Sequence, residues 1–205
     1  MSVPSPNTSS SDVCSDSEIA ESERLEEEID EISDEISPEA MEAIALTIDR
    51  LEGRRRCLTA AIAIAAPIRQ VWQVLTDYER LAEFIPNLRE STVVGEEDDC
   101  VLLRQVGVQN VLFLNFSATV TLKLRACCPE RIDFAMTEGD FKEFCGAWEL
   151  SSLSSPIAEN PQTRLTYTVT ILPPRKMPVR LVERRLKQDL ATNLLAIRQQ
   201  AETAS

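Results

Sequence analysis

Histidine is absent from all 205 residues. With it go the usual general base near neutral pH and the commonest metal-ligating side chain. Ser-His and Cys-His nucleophilic machinery is therefore excluded. Acid–base work by Asp, Glu, Lys or Tyr is not, so whether the chain is an enzyme stays open. No catalytic constellation, metal site or cofactor is read from the residues. No apolar run approaches the ~20 residues that a membrane-crossing helix needs. The basic and apolar start of a secretory signal is missing, as is an Arg-rich, acid-poor transit segment. None of the six cysteines (Cys14, Cys57, Cys100, Cys127, Cys128, Cys145) stands in a Cys-x-x-Cys spacing. Reduced thiols in a cytoplasmic, monomeric protein are expected.

What is present is unevenly spread. Residues 1–40 hold 13 acids and one base, so they carry −12 of the net −13. The composition of Met1 to Ser17, rich in Ser, Pro and Asp, is that of a disordered segment. From Glu18 to Ser37 the residues Leu25, Ile29, Ile32 and Ile36 recur at helical spacing within an otherwise acidic stretch. A short partner-binding amphipathic helix and a solvated acidic tail both fit, because like charges at i,i+4 oppose an isolated helix. A boundary near residue 40 separates this tail from a folded domain over 41–205.

Beyond the tail the apolar period becomes two. Ile44, Leu46 and Ile48, a turn at Glu52-Gly53, then Leu58, Ala60, Ile62 and Ile64 predict a hairpin, with a helix over Pro38–Leu51 as the rival. Pro67 opens a helix whose apolar face is Val71, Trp72, Val74 and Leu75. A second short helix runs from Glu79 to Ile85. Strands follow over Ser91–Gly95 and Cys100–Val108, and one long strand over Val111–Arg125, where every even position from Leu112 to Leu124 is apolar. Arg131–Thr137, Phe144–Leu150 and Arg164–Leu172 alternate in the same way. A helix from Pro178 to Ala201 closes the chain, with Val182, Leu186, Leu190, Leu194 and Ile197 as its stripe. Strands with one apolar face and one long helix predict an α+β fold. In it a curved antiparallel sheet wraps around the C-terminal helix, with two short helices after the first strands.

Three blocks also resemble a known family. They are Leu75-Thr76-Asp77-Tyr78-Glu79-Arg80-Leu81-Ala82-Glu83-Phe84-Ile85-Pro86-Asn87-Leu88, the stretch Glu138 to Trp148, and Leu181-Val182-Glu183 with Asn193 to Arg198 in the last helix. Together they are similar to START-like (SRPBCC) proteins of the polyketide cyclase/dehydrase and lipid-transport group, nearest to its coenzyme Q-binding relatives in their cyanobacterial and plastid branch. The resemblance spans Ile44 to Gln200. It implies a helix-grip fold and a cavity for a hydrophobic ligand, with no diagnostic catalytic residue to carry over. The acidic tail lies outside it.

On that footing Leu114, Phe116, Ala118, Val120, Phe134, Met136, Phe144, Trp148, Leu186, Leu190 and Asn193 are candidate cavity residues. Trp148, through its indole N–H, and Asn193 are the candidates to orient a carbonyl or head group. All of them also suit an ordinary filled core. Asp140, beside Gly139, and Asp77 read as turn and capping residues rather than catalysts. Arg175, Lys176, Arg180, Arg184, Arg185 and Lys187 form a basic run that contains one acid, Glu183. On a helix Arg180 and Arg184 fall ~200° and Lys187 ~140° from Val182, which turns them away from the sheet. Nucleic acid is discounted, for the folded part totals −1 and shows no interleaved aromatics there. Two readings of the run stand: peripheral docking to an anionic membrane by Arg175, Lys176, Arg180, Arg184 and Lys187, or a solvated face. Charge segregation also suggests that the tail folds back on it. The function expected is binding, with transfer or chaperoning, of a prenylquinone, isoprenoid, pigment or lipid. A cyclase or dehydratase in the same cavity, or an interaction module with a filled core, are the alternatives.

Overall fold

A two-residue period sustained along both partners of a strand pair leaves one dry face, and the hairpin at the start of the domain shows it. The computed structural model describes residues 41–111, 114–154, 159–175 and 179–203; side chains at 109–111, 114–116 and 181 are outside that description. The acidic segment and its Leu25–Ile36 stripe also lie outside the described residues. Strand β1 (Ile44–Arg50) pairs antiparallel with β2 (Arg56–Ile64), so the hairpin forms and the rival helix does not. Gly53, at φ +64°, supplies the left-handed residue of their turn.

Helix α1 (Ile68–Thr76), a 3₁₀ turn (Tyr78–Arg80) and the short helix α2 (Leu81–Phe84) follow. Six more strands come next: β3 (Leu88–Glu97), β4 (Cys100–Val111), β5 (Leu114–Cys127), β6 (Arg131–Gly139), β7 (Glu143–Ser152) and β8 (Thr163–Leu172). The last element is α3 (Val179–Thr203). The eight strands form one antiparallel sheet in the order β1-β2-β8-β7-β6-β5-β4-β3. The sheet is curved and unclosed, and the long helix lies on its inner side.

One expected strand is corrected. The run read as Val111–Arg125 belongs to two strands, since β4 ends at Val111, whose partner is Leu114 at the start of β5. Leu112 and Phe113 lie outside the described residues. Paired residues share a face: Leu103 pairs with Leu122 and Gln105 with Val120, so the inward positions are odd on β4 and even on β5, and the even apolar run from Leu114 onward belongs to β5 alone.

The core is built by matched inward faces. Leu58 sits opposite Val169, Ala60 opposite Tyr167 and Ile62 opposite Leu165, all of them buried. Against this floor pack Leu190, Ala191, Leu194, Ile197 and Ala201 of α3. Full burial of a Leu or Ile side chain contributes about 1.5–3 kcal/mol, so this contact alone holds the C-terminal half of the helix on the sheet. The small side chains of Ala60, Ala191 and Ala201, all fully buried, let the surfaces approach closely. Polar contacts lock both ends. Gln70 donates to the Ala201 carbonyl at 2.6 Å, and the Ala65 N–H donates to Glu202 at 2.9 Å. At the other end Glu183 receives Arg56, and Arg50 stands 3.6 Å away.

Candidate functional site

Helix α3 packs along β2, and a gap remains between it and strands β4 to β8. The gap is a cavity of about 360 Å³, within the range of small-molecule sites. Strands β4 to β8 make its floor and sides, α3 its roof, and α1, the 3₁₀ turn and α2 one end.

Among the candidate residues, Ala118, Val120, Phe134, Phe144, Trp148, Leu186, Leu190 and Asn193 stand in the cavity wall. The side chains of Leu114 and Phe116 lie outside the described residues. Met136 is not in the wall. It packs against the core on β6 close to Gly139, where its Sδ is 2.8 Å from the place a Cβ would occupy. The register between β5 and β6 shifts between Thr121 and Leu122, and Leu122, the strand partner of Met136, takes the wall position. A bulge redirects the side chains beside it.

The wall also contains residues that periodicity did not mark. Tyr78, Leu81, Ile85, Asn87 and Leu88 enter from the helical cap, and Phe141 from the connection between β6 and β7. The rings form a continuous patch: Phe141 lies 5.7 Å from Phe144, Phe144 lies 5.6 Å from Phe134, and Phe134 lies 5.8 Å from Tyr167. Tyr167 in turn stacks on Trp148 with centroids 3.6 Å apart and planes 8° from parallel. Asp140 does what a turn residue does, exchanging hydrogen bonds with the Thr119 backbone at 2.7 and 3.1 Å. Asp77 makes no side-chain cap; it pairs instead with Arg80 at 3.4 Å.

The charged groups of the wall lie on the helix side, while Gln105 and Ser117 add polar groups from β4 and β5. Arg185, Asp189 and Asn193 recur every four residues along α3 and all face the cavity. Asp189 accepts a hydrogen bond from the Asn87 amide at 2.8 Å. Arg185 donates from Nη1 to Gln188 at 3.3 Å, while its Nε is buried without a partner among the described residues. The Asn193 Oδ1 is buried without one as well. Burial, and then the negative charge of Asp189, pushes the Tyr167 phenol far above its ordinary range. Burial raises Tyr78 in the same direction. Both phenols therefore stay protonated hydrogen-bond donors. Asp189 is the one carboxylate among the described wall residues.

The basic run divides. Arg185 turns into the cavity, whereas Arg175, Arg180 and Lys187 are exposed and Arg184 is half-buried. Lys176 lies outside the described residues. No described helix is long and apolar enough to cross a membrane.

Comparison with known proteins places these features. The family described as polyketide cyclase / dehydrase and lipid transport matches residues 64–197. No curated protein matches the sequence. Among solved structures, the Zhui aromatase/cyclase of a Streptomyces species is similar at 19% identity and a TM-score of 0.61, covering 72% of this chain and 94% of that one. A START superfamily protein from Mycobacterium smegmatis is 14% identical with a TM-score of 0.61, over 73% of this chain and 99% of that one. A STAR-related lipid transfer protein from Xanthomonas axonopodis is 15% identical with a TM-score of 0.61, over 79% and 95%. At such identities the likeness is one of fold, the START-type helix grip.

Proposed function

This chain belongs to the polyketide cyclase / dehydrase and lipid transport family, and from that premise we propose that it binds a hydrophobic small molecule between sheet and helix and carries or chaperones it. The observation that carries the reading is the cavity itself, about 360 Å³ with a wall of aliphatic and aromatic side chains. A fully packed core would leave no such space. Prenylquinones, isoprenoids, pigments and lipids share the required chemistry. Native mass spectrometry of the protein purified from its own cells, followed by organic extraction, tests it. A one-to-one hydrophobic adduct is the expected result; a bare protein mass, together with no uptake of an apolar fluorophore, would overturn the proposal.

A cyclase or dehydratase reading draws on a specific observation, the Asp189 carboxylate and the Tyr78 and Tyr167 phenols in the same wall. Recovery of the extracted molecule unchanged after incubation with fresh protein supports carriage; its conversion supports the enzyme.

We also propose two parts, an acidic segment over 1–40 and a ligand-binding domain over 41–205, with the outer basic face of α3 meeting anionic membranes. The exposure of Arg180 and Lys187 on α3, outside the cavity wall, and of Arg175 just before the helix supports the second point. Each base near such a surface contributes ~1 kcal/mol. Removal of residues 1–40 should strengthen binding to anionic vesicles at low salt, and unchanged binding counts against the acidic segment as a competitor for that face.

A further inference from the structure

The turn between β1 and β2 carries a combination of side chains that the cavity does not use. Arg50 and Arg54 to Arg56 surround Leu51, which is 42% exposed. A hairpin turn in water favours small and polar residues, and a lone exposed leucine would need no explanation. Here the leucine stands among bases. We propose that this turn is a membrane-docking element, in which Leu51 enters the interface of an anionic bilayer while the bases around it meet lipid headgroups. This adds a second element to the outer bases of α3 and rests on the same reading of an anionic membrane as partner.

Side-chain and backbone bonds gather four segments at this end of the molecule. Arg54 donates to the Pro174 carbonyl at 3.0 Å, which ties the turn to the connection before α3. Arg56 pairs with Glu183, so the first turns of α3 lie beside the hairpin. Arg55 pairs with Glu143 at 2.8 Å, and the Lys142 N–H donates to the Leu172 carbonyl at 3.0 Å, which adds the connection between β6 and β7. Among the described residues of 49–56, 140–143 and 172–184, eight bases stand against five acids. The local charge is therefore +3 in a domain that totals −1. Glu183 leaves only 12% of its side chain exposed, whereas Arg50 is 74% exposed and Lys142, Arg175 and Arg180 are exposed as well. Exposed bases around an exposed leucine match both the charge and the apolar interior of an anionic bilayer. Phe141 and Val182 of the cavity wall are chain neighbours of Lys142 and Glu183. The cavity thus reaches the docking end, where a hydrophobic ligand can pass to the bilayer.

Sedimentation of the full chain with phosphatidylcholine vesicles, with and without phosphatidylserine, provides the test at low salt. Binding is expected where phosphatidylserine is present, and added salt should weaken it. K142Q/R175Q, which replaces two exposed bases, should bind at least ~10-fold more weakly, since each base near such a surface accounts for about fivefold. L51S should lose about threefold or more, the apolar share of the contact. In L51W, anionic vesicles containing phosphatidylcholine brominated on its acyl chains should quench more emission than in the parent, whose own tryptophans are Trp72 and Trp148. Unchanged thermal unfolding of each variant without vesicles reports an intact fold. Unchanged binding of L51S, or no added quenching in L51W, overturns the turn as a docking element and leaves the α3 face standing. Equal binding to both vesicles overturns the anionic partner. Binding to neither overturns both docking readings, and should a peptide of residues 1–40 then bind the parent but not K142Q/R175Q, the surface belongs to an acidic polypeptide instead.

Discussion

The Asn87 amide donates to the Asp189 carboxylate at 2.8 Å, joining the turn before β3 to the middle of α3 across 102 residues of sequence. The bond lies where the helical cap meets the cavity roof, since both residues stand in the wall. It complements the two terminal locks, Arg56 and Arg50 on Glu183 at one end and Gln70 and Ala65 on Ala201 and Glu202 at the other. The helix is thus held at its ends by the first hairpin and α1, and in its middle by the cap. The region between these ties is where a ligand has room.

Replacing Asn87 by Ala should release the cap. A hydrogen bond to a charged acceptor contributes about 1.5–3 kcal/mol, and partial exposure of the pair places the expected loss near the lower figure. Urea unfolding should show the loss, and hydrogen exchange should quicken first over residues 81–88. An exchange pattern like that of the parent protein would mean that the bond does not hold the cap.

Filling the cavity should separate binding from folding. Ala118 is partly exposed to the cavity on β5, so Ala118→Phe places a ring in vacant space. Unfolding free energy should stay within about 1 kcal/mol of the parent or rise, while the co-purifying adduct disappears from the native mass spectrum. Retention of the adduct would place the ligand elsewhere.

Gly146 sets how closely β7 lies to its neighbours. A Cβ there would collide with the Thr168 carbonyl oxygen and stand 2.7 Å from the Phe134 ring. Phe134 is the cross-strand partner of Gly146, and its ring covers the position where the side chain is missing. Gly146→Ala should cost about 1–3 kcal/mol, as overpacking does, and shift the near-ultraviolet signal of the aromatic patch. A neutral result would show that β7 moves freely away from β8.

Glu183 should give stability a dependence on acid. Burial raises its pKa, but the hydrogen bond from Arg56 and the charges of Arg56 and Arg50 outweigh that, so the net shift is below 4.5. A carboxylate depressed in the folded state stabilises above its unfolded pKa of about 4.3 and loses that contribution as pH falls through the folded value. The Tm difference between the parent and E183Q should therefore be constant near neutrality and shrink below about pH 4.3. A difference that stays constant down to pH 2 would mean that the ion pair does not tie the hairpin to the helix.

Much of this architecture was legible from period alone. The dry faces of β2 and β8 were readable because side chains alternate strictly along a strand, and the stripe from Val182 to Ile197 because 3.6 residues make a helical turn. Arg185 was hidden within a run of bases that reads as a solvated face. The spacing that would have revealed it is three residues from Val182 and four from Asp189, the same face as Leu186. Tyr78, Asn87 and Phe141 carry no periodic signal, for they enter the wall from a 3₁₀ turn, the turn before β3 and a strand connection.

The chain by itself therefore determined which faces are dry, and hence the order of strands and helices and the need for one long covering helix. Those are local consequences of burying apolar side chains at fixed periods. Only the tertiary structure decided that the covering is incomplete. Helix α3 packs on β2, with Ala191 and Ala201 buried, while a cavity remains between it and the strands that carry Tyr167, Trp148, Phe134 and Phe144. Whether an apolar surface is filled or left as a cavity depends on the sum of volumes brought together from distant segments, and no single stretch of sequence contains that sum.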